Sequence, residues 1–370
     1  MRVGVIINTS WNVYNFRMGL LQALKKEGYD VFVIAPSDEY SDRIRQEGFE
    51  FHNIEMDNKG GNPMRDFQLM KTLKEVYQKL RLESVLHFTI KPNIYGSFAA
   101  KSLKIPAINN VSGLGTVFLH DSLTTRVAKI LYKRAFKSPY KVFFQNADDR
   151  KVFLKKELVE ESRTGLLPGS GVDLNRLKAV PLPENQVFTF VMVARLLYDK
   201  GIIEMIEAIQ KLRTDSAEFK VVLCGAVEST SRLGVNENEV ESWVKKGWVE
   251  YLGVVDNVDE IIASSDCVVL PSYREGTPKS LLEAAAIGRP IVTTDVPGCR
   301  EVVVDNGNGF LCTAQNATSL AETLKKMIEL PRSKRQAMAT QGRKMVEEKF
   351  DEVIVINQYL EVLKSIKNGN

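Results

Sequence analysis

Two cations and two carboxylates stand at strand ends and helix starts in the second half of this 370-residue chain. Arg195 closes the apolar run 188–194, and Lys200 with Gly201 opens the helical segment that follows. Glu275 and Glu283, seven residues apart, flank the start of another helical segment after the apolar run 267–270. That run reads as a buried strand, and PSYREGTP as a tight loop into a helix, with Thr277 predicted at the N-cap and Pro278 at N1. The first amides of such a helix have no internal acceptor and lie at the positive end of its dipole, so a phosphate or a sugar hydroxyl can bind there. The spacing also allows both carboxylates to face one crevice. Singly, each of these residues reads equally well as an ordinary surface group; the set is what points to a site.

The elements that must position them alternate in kind. Segments 2–7, 31–35, 49–54, 84–89, 106–111 and 141–145 read as short strands rich in β-branched residues, with helical periodicity between them, as in 16–26 and 67–82. Such alternation predicts βαβ units and a parallel sheet. A proline-bearing stretch without periodicity, 178–186, reads as a linker. The alternation then restarts, with strands at 188–194, 220–224, 249–252, 267–270 and 290–294 and helices at 202–212, 258–264 and 278–287. Three helical segments, 316–330, 333–349 and 352–367, close the chain. The expected domains are 1–178, with 352–370 packed back on it, and 187–351.

Composition excludes several classes. The chain is 44% hydrophobic and 26% charged, as in soluble globular proteins, with no apolar run long enough to span a bilayer and an N-terminus that enters on a strand without a leader pattern. A cytoplasmic location is the default expectation. Cys224, Cys267, Cys299 and Cys312 are widely spaced without a CxxC pair, which predicts buried thiols, and with His52, His87 and His120 the only histidines no metal cluster is expected. Charge is unequally shared: residues 1–182 carry 28 Lys+Arg against 19 Asp+Glu, and 183–370 carry 22 against 27. The basic half could meet nucleic acid, an anionic membrane or a phosphorylated acceptor. Within it, Arg126, Lys129, Lys133 and Lys137 recur at helical spacing, with Val127, Ile130, Leu131 and Ala135 on another face and Tyr132, Phe136 and Tyr140 interleaved. That is the composition of a helix lying on an anionic membrane, or of a helix packed on the sheet with a solvated outer face.

Together, R-x4-K-G, Gly225 at a strand end, PSYREGTPKSLLEA with its E-x7-E, GRPIVTTDVPGCREVV and DNGNGFL resemble the retaining glycosyltransferases of family 4 over essentially the whole chain. The resemblance implies an α/β GT-B fold, two Rossmann-like domains facing a central cleft, with a nucleotide-sugar donor, UDP-linked, on the second. It assigns Arg195 and Lys200 to the diphosphate, Glu275 to the donor sugar and Glu283 to the ribose hydroxyls. Gly225, Gly276, Thr277, Pro278, Lys279, Ser280 and Leu281 complete the donor side. No D-x-D occurs, in keeping with GT-B enzymes that use neither metal nor cofactor. SWNVYNFRMGLLQAL, TIKPNIYGS and VSGLGTVF resemble bacterial enzymes that extend undecaprenyl-diphosphate-linked sugars, N-acetylgalactosaminyltransferases among them. This places Tyr14, Asn15, Arg17, Lys91, Asn93, Gly113 and Gly115 on the acceptor side of a protein peripheral to the inner face of the membrane. One departure is Asn8-Thr9-Ser10-Trp11 where many members carry a glycine-rich turn. His120 is read as structural. Two alternatives share the architecture: a non-hydrolysing UDP-sugar 2-epimerase and a non-catalytic nucleotide-sugar-binding protein.

Overall fold

The structure is a computed structural model, and it describes every residue except 58–61, 115–122, 215–217, 230, 232 and 370. The chain divides into two compact units, Met1–Ser170 with Glu352–Asn370, and Gly171–Asp351.

The first unit holds a parallel sheet of seven strands: β1 (Arg2–Ile6), β2 (Asp30–Ala35), β3 (Glu50–Asn53), β4 (Ser84–Phe88), β5 (Ala107–Val111), β6 (Lys141–Phe144) and β7 (Thr164–Leu166), in the order β3-β2-β1-β4-β5-β6-β7. All neighbours pair in parallel, so each connection is a crossover and both faces need cover. Cover comes from α1 (Ser10–Phe16), α2 (Met18–Lys26), α3 (Tyr40–Gln46), α4 (Pro63–Lys79), α5 (Ser97–Leu103), α6 (Leu123–Ala135) and α7 (Ala147–Lys155). The order reverses between β1 and β4, and at such a switch point the loops leaving the two strands diverge to opposite faces and open a crevice at their C-terminal ends.

The second unit holds β8 (Phe188–Val193), α8 (Ile202–Thr214), β9 (Phe219–Cys224), α9 (Glu237–Lys245), β10 (Glu250–Gly253), α10 (Val258–Ser264), β11 (Cys267–Leu270), α11 (Lys279–Ile287), β12 (Ile291–Thr294), β13 (Gly309–Cys312), α12 (Ala317–Glu329) and α13 (Arg332–Lys349). Its sheet is parallel in the order β10-β9-β8-β11-β12-β13. The central β11 is buried throughout, and α11 buries Leu281, Leu282 and every residue from Ala284 to Ile287. Both edge strands β7 and β13 escape the periodicity reading, being three and four residues long with a glycine in each.

The last helix, α14 (Glu352–Gly369), belongs to the first unit, where Val355, Tyr359, Leu360, Leu363 and Ile366 join the core beneath β1 and β2. This stripe follows helical spacing, and Lys364 pairs with Glu27 at 3.0 Å on its outer side.

The proline-bearing segment 178–186 is not the passage between the units. That passage lies at Ser170–Gly171, where Gly169 and Gly171 both have positive φ, and the expected boundary at 178 moves accordingly. The prolines are fixed to the second unit by two arginines. Arg289, fully buried, donates five hydrogen bonds to the carbonyls of Val180, Pro181, Ala263 and Gly288, and Arg332 donates to those of Leu182 and Pro183. Extended proline-rich chain cannot satisfy its carbonyls internally, and a guanidinium fork can serve several at once. Burial lowers the Arg289 pKa to about 10, still protonated at neutral pH. Arg289→Leu should therefore lower stability by about 3 kcal/mol through the carbonyls left unpaired, read as a drop in urea midpoint; a loss below about 0.5 kcal/mol would contradict this role.

Candidate active site

In the second unit, the expected residues gather at the C-terminal ends of β8, β9 and β11, and glycines decide how closely. Gly201 has φ +75°, and a Cβ there would lie 2.0 Å from the Pro271 carbonyl oxygen. The turn before α8 is thus pressed against the end of β11. The Tyr273 amide donates to the Asp199 carbonyl at 2.9 Å, and Ser272 Oγ lies 3.1 Å from the same oxygen. This contact carries Lys200 Nζ to 2.5 Å from Glu275 Oε1, while Ser272 Oγ donates to the same oxygen at 2.8 Å. Both members of the ion pair are only 16% exposed, so the pair is little screened by water. Glu275 is held from behind as well. Its amide donates to the Pro297 carbonyl, and Gly298, with φ +88°, lies so close that a Cβ would sit 2.4 Å from the Glu275 carbonyl oxygen.

Arg195 is placed by a third glycine. At Gly225, φ +141°, a Cβ would lie 1.9 Å from the Ala194 carbonyl oxygen, so the ends of β8 and β9 touch directly. Tyr251 donates to the Gly225 carbonyl at 2.8 Å, which fixes that strand end. Arg195 is 59% exposed and pairs with Glu228 at 2.9 Å. Glu228 lies on the segment after β9, which is tied back by the bridges Leu196 to Val227 and Leu197 to Gly234.

The helix start differs from the expected one by one residue. Pro278, with ψ 119°, is the N-cap and Lys279 the first helical residue, and the Thr277 hydroxyl donates to the Gly276 carbonyl instead of capping. Leu281 N–H donates to the Pro278 carbonyl at 3.1 Å, closing the first turn. Glu283 does not join Glu275. It lies 3.9 Å from Arg176, which also binds Asp259 at 3.0 Å, and burial raises its pKa while Lys279 and Arg176 pull it back down. The two carboxylates of E-x7-E therefore have separate cationic partners, Lys200 and Arg176.

The first unit has its own cavity, about 240 Å³, at the β1/β4 switch point. Asn8 after β1, Thr89 to Asn93 after β4 and Val111 to Gly113 after β5 line it, with Tyr132 from α6. Lys91, Asn93 and Gly113 are thus brought together. Lys91 is held at 2.7 Å by Asp66, which also accepts from Tyr95 at 2.9 Å. Tyr14, Asn15 and Arg17 do not line this cavity. Tyr14 packs on Tyr40, Asn15 donates to the Trp11 carbonyl, and Arg17 is buried over the Phe88 ring, where loss of water lowers its pKa. Gly115 and His120 lie outside the described residues. Beneath the cavity runs a buried polar chain. Asn109 Nδ2 donates to Ser97 Oγ and the Asn93 carbonyl, so its Oδ1 must accept from His87 Nδ1–H, leaving Nε2 to accept from Tyr77. Burial lowers the His87 pKa to about 4, so the ring is a neutral structural element and not a base at neutral pH.

The α6 helix departs from its sequence reading in two ways. It ends at Ala135, so Lys137 lies beyond it, and Tyr132 and Phe136 turn inward to pack on Phe153. The outer face carries Arg126, Val127, Ile130, Lys133 and Arg134, with Val127 and Ile130 both more than half exposed. Lys129 is partly buried, and Lys133 pairs loosely with Glu157 at 3.3 Å. Among the described residues no helix is long and apolar enough to cross a membrane.

Spacing alone misses Ser272, Glu228, Gly298, Arg176, Asp66 and Thr89. The signal for Gly298 was a Pro-Gly turn after a strand; the others had none, because their partners are distant in sequence.

Residues 175–345 match the family model of glycosyl transferases group 1, and residues 2–146 that of glycosyl transferase 4-like proteins. With two parallel α/β sheets and this site, the chain belongs to the glycosyltransferases of GT-B fold. It is similar to the N,N'-diacetylbacillosaminyl-diphospho-undecaprenol alpha-1,3-N-acetylgalactosaminyltransferase of Campylobacter jejuni, 28% identical over 386 residues and the whole of both chains. A further relative is the UDP-Gal:alpha-D-GlcNAc-diphosphoundecaprenol alpha-1,3-galactosyltransferase of Escherichia coli, 26% identical over 69% of each chain. Among solved structures, Anabaena HepE in complex with UDP and glucose superposes with a TM-score of 0.81 over 99% of this chain and all of that one, at 19% identity, a likeness of fold alone.

A close, half-dry ion pair held by a shared hydroxyl predicts strong coupling. Lys200→Met and Glu275→Gln should each destabilise the protein, but the double substitution should cost less than their sum by about 1–3 kcal/mol in urea unfolding. Additive losses would mean that the pair contributes nothing.

Proposed function

We propose that the protein is a retaining, metal-independent hexosyltransferase that moves a hexose or N-acetylhexosamine, GalNAc by preference, from a UDP-sugar to a saccharide on polyprenyl diphosphate, working as a peripheral protein on the inner face of a bacterial membrane. One observation carries this reading: Lys200, Glu275 and the start of α11 converge at the end of β11, with Arg195 at the end of the neighbouring β8. A departing nucleoside diphosphate gains charge as the C1–O bond breaks. Two cations and a helix start are the stabilisers such a leaving group needs. On the donor side, a diphosphate would take Arg195 from Glu228 and Lys200 from Glu275, freeing the Glu275 carboxylate toward the sugar. Gly276, Thr277, Lys279 and Ser280 present the loop and first turn to sugar and phosphate, and Glu283 is assigned to the ribose hydroxyls. The acceptor oxygen attacks C1 on the face the diphosphate leaves. Its proton passes to the departing phosphate oxygen, so that no separate base is needed. The polyprenyl-linked acceptor and the choice of GalNAc are supported by the names of the relatives above.

Transfer from a UDP-sugar panel to a polyprenyl-diphosphate-linked N-acetylhexosamine should proceed in EDTA. Arg195→Ala should lower kcat by about 10²-fold with the fold unchanged by circular dichroism, since this side chain is 59% exposed. A strict divalent-ion requirement, or wild-type turnover in the variant, would refute the leaving-group assignment.

The outer face of α6 supports membrane association, because its exposed Val127 and Ile130 sit among cations. Arg126, Lys129, Lys133 and Lys137 near an anionic surface supply about 1 kcal/mol each, enough for reversible docking. The protein should sediment with phosphatidylglycerol vesicles and be released at about 1 M salt, where the Debye length is about 3 Å. Changing the four cations to Glu should abolish sedimentation; normal sedimentation of that variant would make the face an ordinary solvated one.

A further inference from the structure

The second unit contains a carboxylate whose counter-charge stands off from it. Glu283, on α11, is only 16% exposed, and the Arg176 guanidinium lies 3.9 Å from its Oε1. That is near enough for charge to act, but beyond the roughly 2.7–3.2 Å of an N–H···O hydrogen bond. Glu275, by contrast, is in direct contact with Lys200 and accepts from Ser272. Arg176 makes its own close contact elsewhere, at 3.0 Å from Asp259 on α10. Among the described residues no side chain donates to Glu283 at hydrogen-bond length.

The backbone that carries Arg176 is fixed on both sides. Asp173 Oδ1 accepts from the amides of Asn175 and Arg176, at 2.8 and 3.0 Å, and curls the chain into a turn. Before it, the Val172 amide donates to the Phe350 carbonyl; after it, Leu177 is buried and its carbonyl accepts from Arg343 at 2.7 Å. The charges that face Glu283 come from three elements: Lys279 one turn earlier on α11, Arg176 on the segment before β8, and Asp259 on α10. The helix α13, also packed on α11, brings Arg343, which is engaged by Glu347 and by the carbonyls of Leu177 and Ala286. Strands β11 and β12 carry no charged residue. Burial pushes the Glu283 pKa up, Lys279 and Arg176 pull it down, and Asp259 raises it.

A carboxylate and a carboxylic acid read a ligand differently. The ionised group only accepts, and its two oxygens can take two neighbouring hydroxyls; once it is protonated, one oxygen becomes a donor. A cation in hydrogen-bonding contact would occupy one of those oxygens. A cation at 3.9 Å favours the charged form and leaves both oxygens open. We infer that Arg176 is a positioning residue that acts on the nucleotide through Glu283, keeping its carboxylate charged and unoccupied so that it accepts from both hydroxyls of a vicinal diol. The inference rests on the assignment of Glu283 to the ribose hydroxyls proposed above, and deepens it. Asp259 completes the arrangement by holding the guanidinium at 3.0 Å, on the side away from hydrogen-bonding contact with Glu283.

Affinity for UDP-N-acetylgalactosamine, whose diphosphate keeps its charge between about pH 6 and about pH 8, tests this by calorimetric titration without acceptor or divalent ions. Arg176→Met should bind as the wild type does at about pH 8 and fall about threefold or more behind it at about pH 6. The sign follows from the charges: without the cation, and with Asp259 still beside it, Glu283 takes up a proton at higher pH, and the accepting form is lost as pH falls. Arg176→Lys, which keeps the charge, should restore the wild-type profile. Glu283→Gln, which cannot ionise, should bind about tenfold more weakly at about pH 8, and adding Arg176→Met to it should change nothing at either pH. Arg176 is 53% exposed, so its variants should keep the fold by circular dichroism. No deficit in Arg176→Met, a deficit equal at both pH values, or one that survives in the Glu283→Gln background overturns the inference. Wild-type affinity in Glu283→Gln, or no binding by the wild type, would overturn the donor reading itself.

Discussion

The contact on which the second unit's chemistry depends is the ion pair between Lys200 and Glu275, residues that lie on different loops and meet only because backbone meets backbone beneath them. Gly201 against Pro271 and Gly298 against Glu275 leave no room for a Cβ, and the Ser272 hydroxyl, beside the Asp199 carbonyl, donates to the Glu275 carboxylate. A cation placed in this way is neutralised until a stronger anion arrives. The same holds at Arg195, paired with Glu228. The site therefore holds two cations with internal carboxylates, and in the function proposed above a diphosphate would exchange one anion for another. The exchange would leave the little-exposed Glu275 carboxylate without its cation, holding only the hydrogen bond from Ser272 until a sugar hydroxyl joins it.

The first unit uses a different strategy. Its cavity is lined mostly by neutral groups above a buried hydrogen-bond chain, and among the described residues its one lining cation, Lys91, is held by Asp66 at 2.7 Å. The two units thus rely on opposite physics. One uses exchangeable charge at a helix start, the other fixed dipoles in a pocket where each unpaired atom costs about 1–3 kcal/mol.

Much of this was legible in the sequence, and the reasons it was not all legible are physical. Both sheets follow from β-branched runs alternating with helical periods, because a parallel sheet buried on both faces leaves that trace. R-x4-K-G and E-x7-E were visible as patterns, but the contact between Lys200 and Glu275 was not, since 75 residues separate them and only the glycine-mediated approach brings them together. The N-cap fell at Pro278 and not Thr277 because proline at ψ 119° already supplies the extended entry, leaving the threonine hydroxyl free to bond backward. The linker reading of 178–186 failed because the arginines that hold its carbonyls come from about 110 and 150 residues further on. On α6, spacing assigned the cations to one face but could not tell that Tyr132 and Phe136 would turn to Phe153, nor that the helix would stop before Lys137.

Anion exchange at the two cations is tested most directly by the affinity of UDP, titrated calorimetrically without divalent ions, for the wild type, Arg195→Ala and Glu228→Gln. If the diphosphate replaces Glu228 on Arg195, removing the arginine should weaken binding by about tenfold or more, and removing the competing charge at 228 should strengthen it severalfold. Three equal affinities, or weaker binding to Glu228→Gln than to the wild type, would contradict the exchange and with it the placement of the leaving group.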